Sequence, residues 1–241
     1  LRGFVDLHCH WISGIDDGAP SEDEGLAMLE RLHALGFGTV VATPHMRPGM
    51  FDNRREDLVS AFERMQPAVS ARTNLPEVGL SSEHYFDDVV YERLIAGAAL
   101  PYPGGRAVLL EFWGNEFPTV VMHRLFDLRQ RGLLTVIAHP ERYRCIWRSP
   151  EILERLVDSG AAALLDAAAL VGKYGREPKR AAEELLERGL YHAACSDAHR
   201  TTDVAEVEKG MRVIAEKYGA GEVEFLFGEG PKAILAGERA E

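Results

Sequence analysis

Apolar residues along this chain recur in two alternating rhythms: short aliphatic runs, and longer stretches with leucine or valine every three or four positions. The short runs Val5–His8, Thr39–Thr43, Glu77–Ser81, Ala107–Leu110, Leu134–Ala138, Ala161–Leu165 and Tyr191–Cys195 predict seven strands. The longer rhythm predicts helices between and after them. In the first, Ser21-Glu22-Asp23-Glu24 reads as a capping box, Leu26, Leu29, Leu32 and Leu35 form the apolar stripe, and Gly36 is the stop. The others fall at Asn53–Met65, Asp87–Ile95, Thr119–Arg131, Pro150–Ser159, Lys179–Arg188, Val204–Tyr218 and Pro231–Leu235. Seven strands with helical returns, and no linker or low-complexity run between them, predict an α/β fold of right-handed βα units in one domain over residues 1–241. A distorted seven-unit barrel fits better than an open doubly wound sheet, because no G-x-G-x-x-G follows the first strand.

The candidate chemistry stands where those strands end. His8 and His10 close the first strand, and alternation along an extended segment points both rings to one face. His45 follows the second strand, Glu83 the third, Glu111 the fourth and His139 the fifth, while Asp197 and His199 follow the seventh. Asp17, of the pair Asp16-Asp17 in the loop after strand one, reaches the same rim. In a βα barrel the C-terminal strand ends share one face, where active sites sit. Five of the chain's nine histidines stand at these ends, too ordered an arrangement for scattered surface residues.

Imidazoles and carboxylates without thiolates suit Mn²⁺, Fe²⁺ or Zn²⁺. Nine such side chains exceed one coordination sphere, so two or three ions are expected, with a carboxylate such as Glu111 bridging. Closely spaced ions acidify a water and hold the oxygens of an in-line phosphoryl displacement, which predicts phosphoester hydrolysis. Arg47, Arg142 and Arg200 each lie within three residues of a strand-end histidine and are candidates for contact with the phosphate.

Competing mechanisms lack their motifs. A cysteine phosphatase needs C-x₅-R, but Ile15, Glu151 and Thr201 stand six residues after Cys9, Cys145 and Cys195. Neither a G-x-S-x-G elbow nor a G-x-x-x-x-G-K-[ST] phosphate loop is present. A net charge of −11 argues against sequence-independent nucleic-acid binding. Three cysteines at no framework spacing point to a reducing compartment, and no run reaches the roughly 18 apolar residues of a membrane span, so the cytoplasm is expected.

These segments resemble the PHP (polymerase and histidinol phosphatase) superfamily, and within it the bacterial manganese-dependent tyrosine-protein phosphatases of capsule and exopolysaccharide synthesis. The resemblance rests on Asp6-Leu7-His8-Cys9-His10, Gly14-Ile15-Asp16-Asp17-Gly18, Ala42-Thr43-Pro44-His45, Gly49-Met50-Phe51, Glu83, Leu110-Glu111-Phe112, Ala138-His139-Pro140-Glu141-Arg142-Tyr143, Ser196-Asp197-Ala198-His199 and Gly230-Pro231-Lys232-Ala233-Ile234-Leu235. It implies a TIM-like PHP barrel with a trinuclear centre ligated by the nine residues above, Mn²⁺ as the usual ion, and Arg47, Arg142 and Arg200 on the phosphate. It also implies a tyrosine-phosphorylated partner, such as a bacterial tyrosine kinase of polysaccharide synthesis. Alternatives are a phosphatase of a small phosphoester, such as histidinol phosphate or a nucleotide, and a non-catalytic metal-binding regulator. An aromatic rim from Trp11, Tyr85, Phe86, Phe112, Trp113 and Tyr143 is expected to receive the phenyl ring. Asp166, where small polar residues are usual, departs from the family pattern and is read as the cap of the following turn.

Overall fold

The computed structural model describes residues 3–113, 115, 117 and 119–240. Nine strand segments make the seven units. β1 (Phe4–Cys9) pairs in parallel with β2 (Phe37–Ala42), and β2 with β4 (Glu77–Leu80). A second parallel sheet runs β3 (His45–Met46), β5 (Glu83–Tyr85), β6 (Ala107–Glu111), β7 (Leu134–Ala138), β8 (Ala162–Asp166) and β9 (Ala193–Cys195). A parallel bridge between Cys9 and Ala198 joins the last strand's end back to the first, so the two sheets close into a distorted (βα) barrel.

The distortion has a local cause. Pro44 has no N–H to give a ladder, so β2 stops at Ala42 and the chain resumes as β3. The neighbouring strand breaks at the same level, between β4 and β5. Ser81 N donates to Ala42 O at 2.8 Å and Ser82 Oγ to Pro44 O at 2.7 Å, holding the two breaks together. The predicted strands ending at Thr43 and Ser81 are thus each one member of a kinked pair.

Inside the barrel, side-chain alternation points Ala107, Leu109 and Glu111 to one side, as it does Ala162, Leu164 and Asp166, and Ala193 and Cys195, which Asp197 follows beyond the strand end. The first two of each set pack with Val5, Leu7, Val41 and Tyr102 in an inner core, and the third is an acid at the rim. An outer core lies between strands and helices, where α1 (Glu22–Leu35) buries Leu26, Met28, Leu29 and Leu32. Ser21 Oγ caps α1 by accepting from Glu24 N, but Glu24 accepts from Thr201 N instead of completing the box. The second helix, α2, runs Arg55–Ser70, through Pro67 and five residues past its predicted end. It starts two residues late because Asn53 Nδ2 is donating to the carbonyls of Ile15 and His45. Helices α3 (Asp88–Ile95) and α4 (Thr119–Gln130) follow as expected. The short α5 (Arg144–Arg148) was not legible in the pattern; α6 (Glu151–Asp158) and α7 (Arg176–Glu187) were, α7 starting three residues before its predicted Lys179, and α8 (Thr201–Tyr218) begins three residues early. No helix among the described residues is long and apolar enough to cross a membrane.

Candidate metal centre

The strand ends bring all nine expected ligands together. They form four overlapping groups: His10, Asp17, His45 and His199; His8, His10 and Asp197; His8, Glu83 and His139; and His45, Glu83 and Glu111. Within each group the ligand-type atoms lie within 4.8 Å of one another. Glu83 stands at the middle. Its Oε1 is 2.8 Å from His139 Nε2 and 3.5 Å from His8 Nε2, and its Oε2 is 3.0 Å from His45 Nδ1 and 3.5 Å from His10 Nε2. The kinked strands explain this, since β3 and β5 place His45 directly opposite Glu83 in register. Glu83 thus belongs to two of the four groups, while Glu111, expected as a shared carboxylate, belongs to one. Glu111, at the end of β6, touches only the His45 side and lies 3.8 Å from Arg47 Nη1.

Two members are held in strained backbone. His139 (φ 33°) and Asp197 (φ 41°) are the only non-glycine residues with positive φ among those described. Such conformations cost about 1–3 kcal/mol each and persist where the surroundings over-determine them. Here His139 N donates to Leu164 O and Asp197 N to His8 O, both at 2.9 Å. The strain turns these side chains out of the strand direction into the cluster.

A surrounding layer sets the imidazole orientations. His8 Nδ1 lies 2.7 Å from Thr43 Oγ1, His10 Nδ1 2.8 Å from Asp16 Oδ2, and His199 Nδ1 3.0 Å from Asp197 O. Each contact engages one ring nitrogen and leaves Nε2 facing the cluster, the arrangement that ligating histidines use. Asp16 is the residue that sequence reasoning passed over in favour of its twin Asp17. Besides His10 it accepts from His45 N at 3.0 Å and Gly18 N at 2.9 Å, tying three segments together. Gly18 is required there: a Cβ would sit 2.2 Å from His10 O. Asp17, by contrast, is half exposed, its Oδ1 3.4 Å from His45 Nε2 and 3.5 Å from His199 Nε2.

The donor set fits divalent cations. Among the described residues, His8 Nε2, His10 Nε2, His45 Nδ1, Glu111 Oε2 and Asp197 Oδ1 are buried without a hydrogen bond. Buried polar atoms are ordinarily hydrogen-bonded, so five that converge on one spot with only ion-pair contacts, such as His8 Nε2 to Asp197 Oδ1 at 2.9 Å, mark a place for a charged partner. The clustered charges shift one another's titration. Burial alone would pull His10 down, but Asp16, Asp197 and Glu83 outweigh it and push its pKa well above the ordinary range. Burial and the Glu83 charge raise Glu111 to about 7. Burial opposes ionisation of Asp197 and Glu83 too, yet His8 and further cations beside each hold both carboxyls well below the usual range.

The three arginines separate. Arg142 Nη1 bonds Asp197 Oδ2, lies 3.8 Å from Asp166 Oδ2, and its guanidinium sits 4.7 Å over the Tyr174 ring. Asp166 is fully buried and serves twice: Oδ1 caps the following turn through Ala168 N at 2.9 Å, as expected, while Oδ2 faces Arg142. Glu141, unremarked in the sequence, is buried beneath it, accepting from Asp166 N and Tyr191 OH at 2.8 Å each. Arg47 lies 4.3 Å over the Tyr85 ring beside Glu111. Arg200 departs from expectation. Its Nη1 donates to the carbonyls of Asp17, Gly18 and His199, so this side chain fixes the Asp17 loop rather than opening toward an anion.

Most of the expected aromatic rim is core. Trp11, Phe86, Phe112 and Tyr143 are buried, the last accepting from Phe112 N at 3.2 Å. Half-buried Tyr85 and exposed Trp113 remain, and both line a cavity of about 360 Å³ that also touches Arg47 and Glu111. A larger cavity, about 760 Å³, lies at the opposite strand ends beside Tyr191 and His192 and shares no residue with the cluster. Cys9 and Cys195 are buried, and burial pushes both thiols up, which suits packing and not nucleophilic attack.

Comparison with known proteins finds relatives over almost the whole chain. The chain is 28% identical over 233 residues to the tyrosine-protein phosphatase YwqE of Bacillus subtilis, covering 96% of this chain and 91% of that protein. It is 26% identical over 238 residues to the tyrosine-protein phosphatase CpsB of Streptococcus pneumoniae, covering 96% and 98%. A crystal structure from work on YwqE and CpsB, described as metal-dependent tyrosine phosphatases, superposes with a TM-score of 0.88 at 26% identity over 98% of this chain and 96% of the other. A prolidase matches with a TM-score of 0.60 at 12% identity, over 98% of this chain and 74% of its own, a likeness of fold alone. The family model for capsular polysaccharide synthesis proteins, CpsB/CapC, matches residues 4–236, and the chain belongs to that family.

Proposed function

We propose that this chain is a metal-dependent phosphatase that removes phosphate from tyrosine in proteins, acting as one metallophosphatase domain over its full length. The observation that carries the reading is the convergence of five buried, unbonded ligand atoms on the C-terminal rim of the barrel. The names of its relatives YwqE and CpsB support the phosphotyrosine substrate. The reading further names manganese as the working ion, two or three per chain, a bacterial tyrosine kinase of polysaccharide synthesis as the substrate, and the cytoplasm as the compartment.

The nine residues of the four groups would hold the ions, with Glu83 common to two groups. Divalent ions bound there would supply Lewis-acid charge for the phosphoryl oxygens and acidify a water toward neutral pH. The chain's own residues do the rest. Arg142, fixed by Asp197 and Asp166, and Arg47, fixed by Glu111 and Tyr85, present guanidinium donors to the non-bridging oxygens and to the charge that develops on them. Thr43 and Asp16 hold the His8 and His10 rings in the ligating orientation. A tyrosine phenol has a pKa of about 10 and leaves readily, so an aryl phosphoester places little demand on a general acid. With both buried thiols protonated, the attacking oxygen comes from water and no phosphocysteine forms.

Phosphate release from a phosphotyrosyl peptide tests this, using protein stripped of metal by chelation and then restored with Mn²⁺. The expected result is turnover that vanishes on stripping and returns with the ion, with a phosphoseryl peptide cleaved far more slowly. Turnover that survives stripping, or equal rates on both peptides, would contradict the reading.

A further inference from the structure

The 360 Å³ cavity beside Glu111 carries two side chains that the hydrolytic step does not use, Trp113 and Arg144. Tyr85 and Trp113 form its aromatic wall, Arg47 and Arg144 its basic one. Trp113, on this lining, is 60% exposed. Arg47 Nη1 faces Glu111 Oε2 at 3.8 Å. Arg144 is exposed, and no acid or carbonyl among the described residues pairs with it. An exposed guanidinium on the lining of a cavity next to the metal cluster, in a chain of net charge −11, suits an anion from outside.

We infer that this cavity is a peptide subsite that reads an acidic side chain flanking the phosphotyrosine, with Arg144 as the residue that reads it. The inference rests on the phosphotyrosine-protein reading above. A cavity of this volume is about 9 Å across, which spans two to three residues of extended peptide at roughly 3.4 Å each. Glu111 and Arg144 both line the cavity, so the acid falls within three positions of the phosphotyrosine. Tyr85 and Trp113 pack the intervening side chains, and Arg144 meets the carboxylate with a bidentate fork.

Competition kinetics on matched phosphotyrosyl peptides test it, with Glu, Gln or Lys at each of the three positions on either side. The readout is the ratio of kcat/KM between peptides, which is independent of the fraction of folded enzyme. The native enzyme is expected to prefer Glu over Gln at one of these positions by about three- to tenfold. Arg144→Ala should flatten that ratio to near one, and Arg144→Glu should turn the preference toward Lys. A native preference that persists in both variants, or no native preference at any position, overturns the subsite. If no phosphotyrosyl peptide is cleaved while a small aryl phosphate is, the protein-phosphatase reading fails and the subsite with it.

Discussion

Asp16→Asn separates a role in holding the centre from a role in the surrounding loop. The native carboxylate accepts three hydrogen bonds, from His10 Nδ1, the His45 backbone N–H and the Gly18 N–H. Asparagine keeps the shape but has one acceptor oxygen. If that oxygen takes the Oδ2 position, His10 and His45 are still served, the amide nitrogen faces the Gly18 N–H, and one bond is lost with the charge. If it takes the Oδ1 position, the amide donates to His10 Nδ1 and drives the ring proton to Nε2, where it blocks ligation. A lost buried hydrogen bond costs about 1–3 kcal/mol. Removal of an outer partner of a ligating imidazole typically costs roughly 10–100-fold in metal affinity, about 1.4–2.7 kcal/mol, so the two estimates agree. Mn²⁺ titration of the stripped protein by calorimetry should show the weakest-binding class of ion weakened by that factor, while the metal-free melting temperature moves by only a few degrees. Mn²⁺ binding within twofold of native would refute the assignment of Asp16 as the group that orients His10.

Other substitutions test other parts of the site. Arg142→Lys replaces a fork held by Asp197 and Asp166 with a point charge, and should lower kcat by about 10²–10³ with a smaller effect on KM, measured on a phosphotyrosyl peptide. The double variant Cys9→Ser, Cys195→Ser should keep most of the turnover, because both thiols only pack and bond weakly to carbonyls; loss comparable to that of metal stripping would point to a thiol mechanism. His192 lies far from the centre and accepts from Ala163 N through Nδ1; burial and Arg239 depress its pKa to about 4. Between about pH 4 and 6.5 the unfolded chain binds the extra proton and the folded one does not, so stability from this residue is full above 6.5 and is lost as pH falls, by about 3 kcal/mol at most. Urea midpoints across that window should be less pH-dependent in His192→Asn than in the native protein, and equal slopes would contradict it.

Much of the fold was legible because each strand is a short apolar run closed by a histidine or an acid, and each return has a leucine stripe. Both signals are local. What was illegible depends on contacts between segments. Pro44 is visible in the sequence, but its consequence, a second break at Ser81-Ser82 one strand away, arises from pairing across the sheet. The nine ligands were legible because strand ends of a parallel barrel share a rim. Their arrangement was not: Glu83 stands in two of the groups because the kinked segments set it opposite His45. Asp16 and Asp17 are chemically identical neighbours, and only the turn through Gly18 decides which faces the imidazoles as an orienter and which opens toward the cleft. Arg200 likewise looks like a phosphate clamp from its place after His199, yet the nearest unmet need is three loop carbonyls. Four of six rim aromatics proved to be core, as large apolar side chains near strand ends usually are.

Anomalous scattering from crystals of the protein loaded with Mn²⁺ addresses the metal centre itself. Two or three peaks should appear within the four side-chain groups, with Glu83 ligating two neighbouring ions and Asp17 and His199 completing the outermost one. A single ion that leaves Glu83 unligated, or peaks only outside these nine residues, would contradict the assignment of this rim as a multinuclear hydrolytic centre.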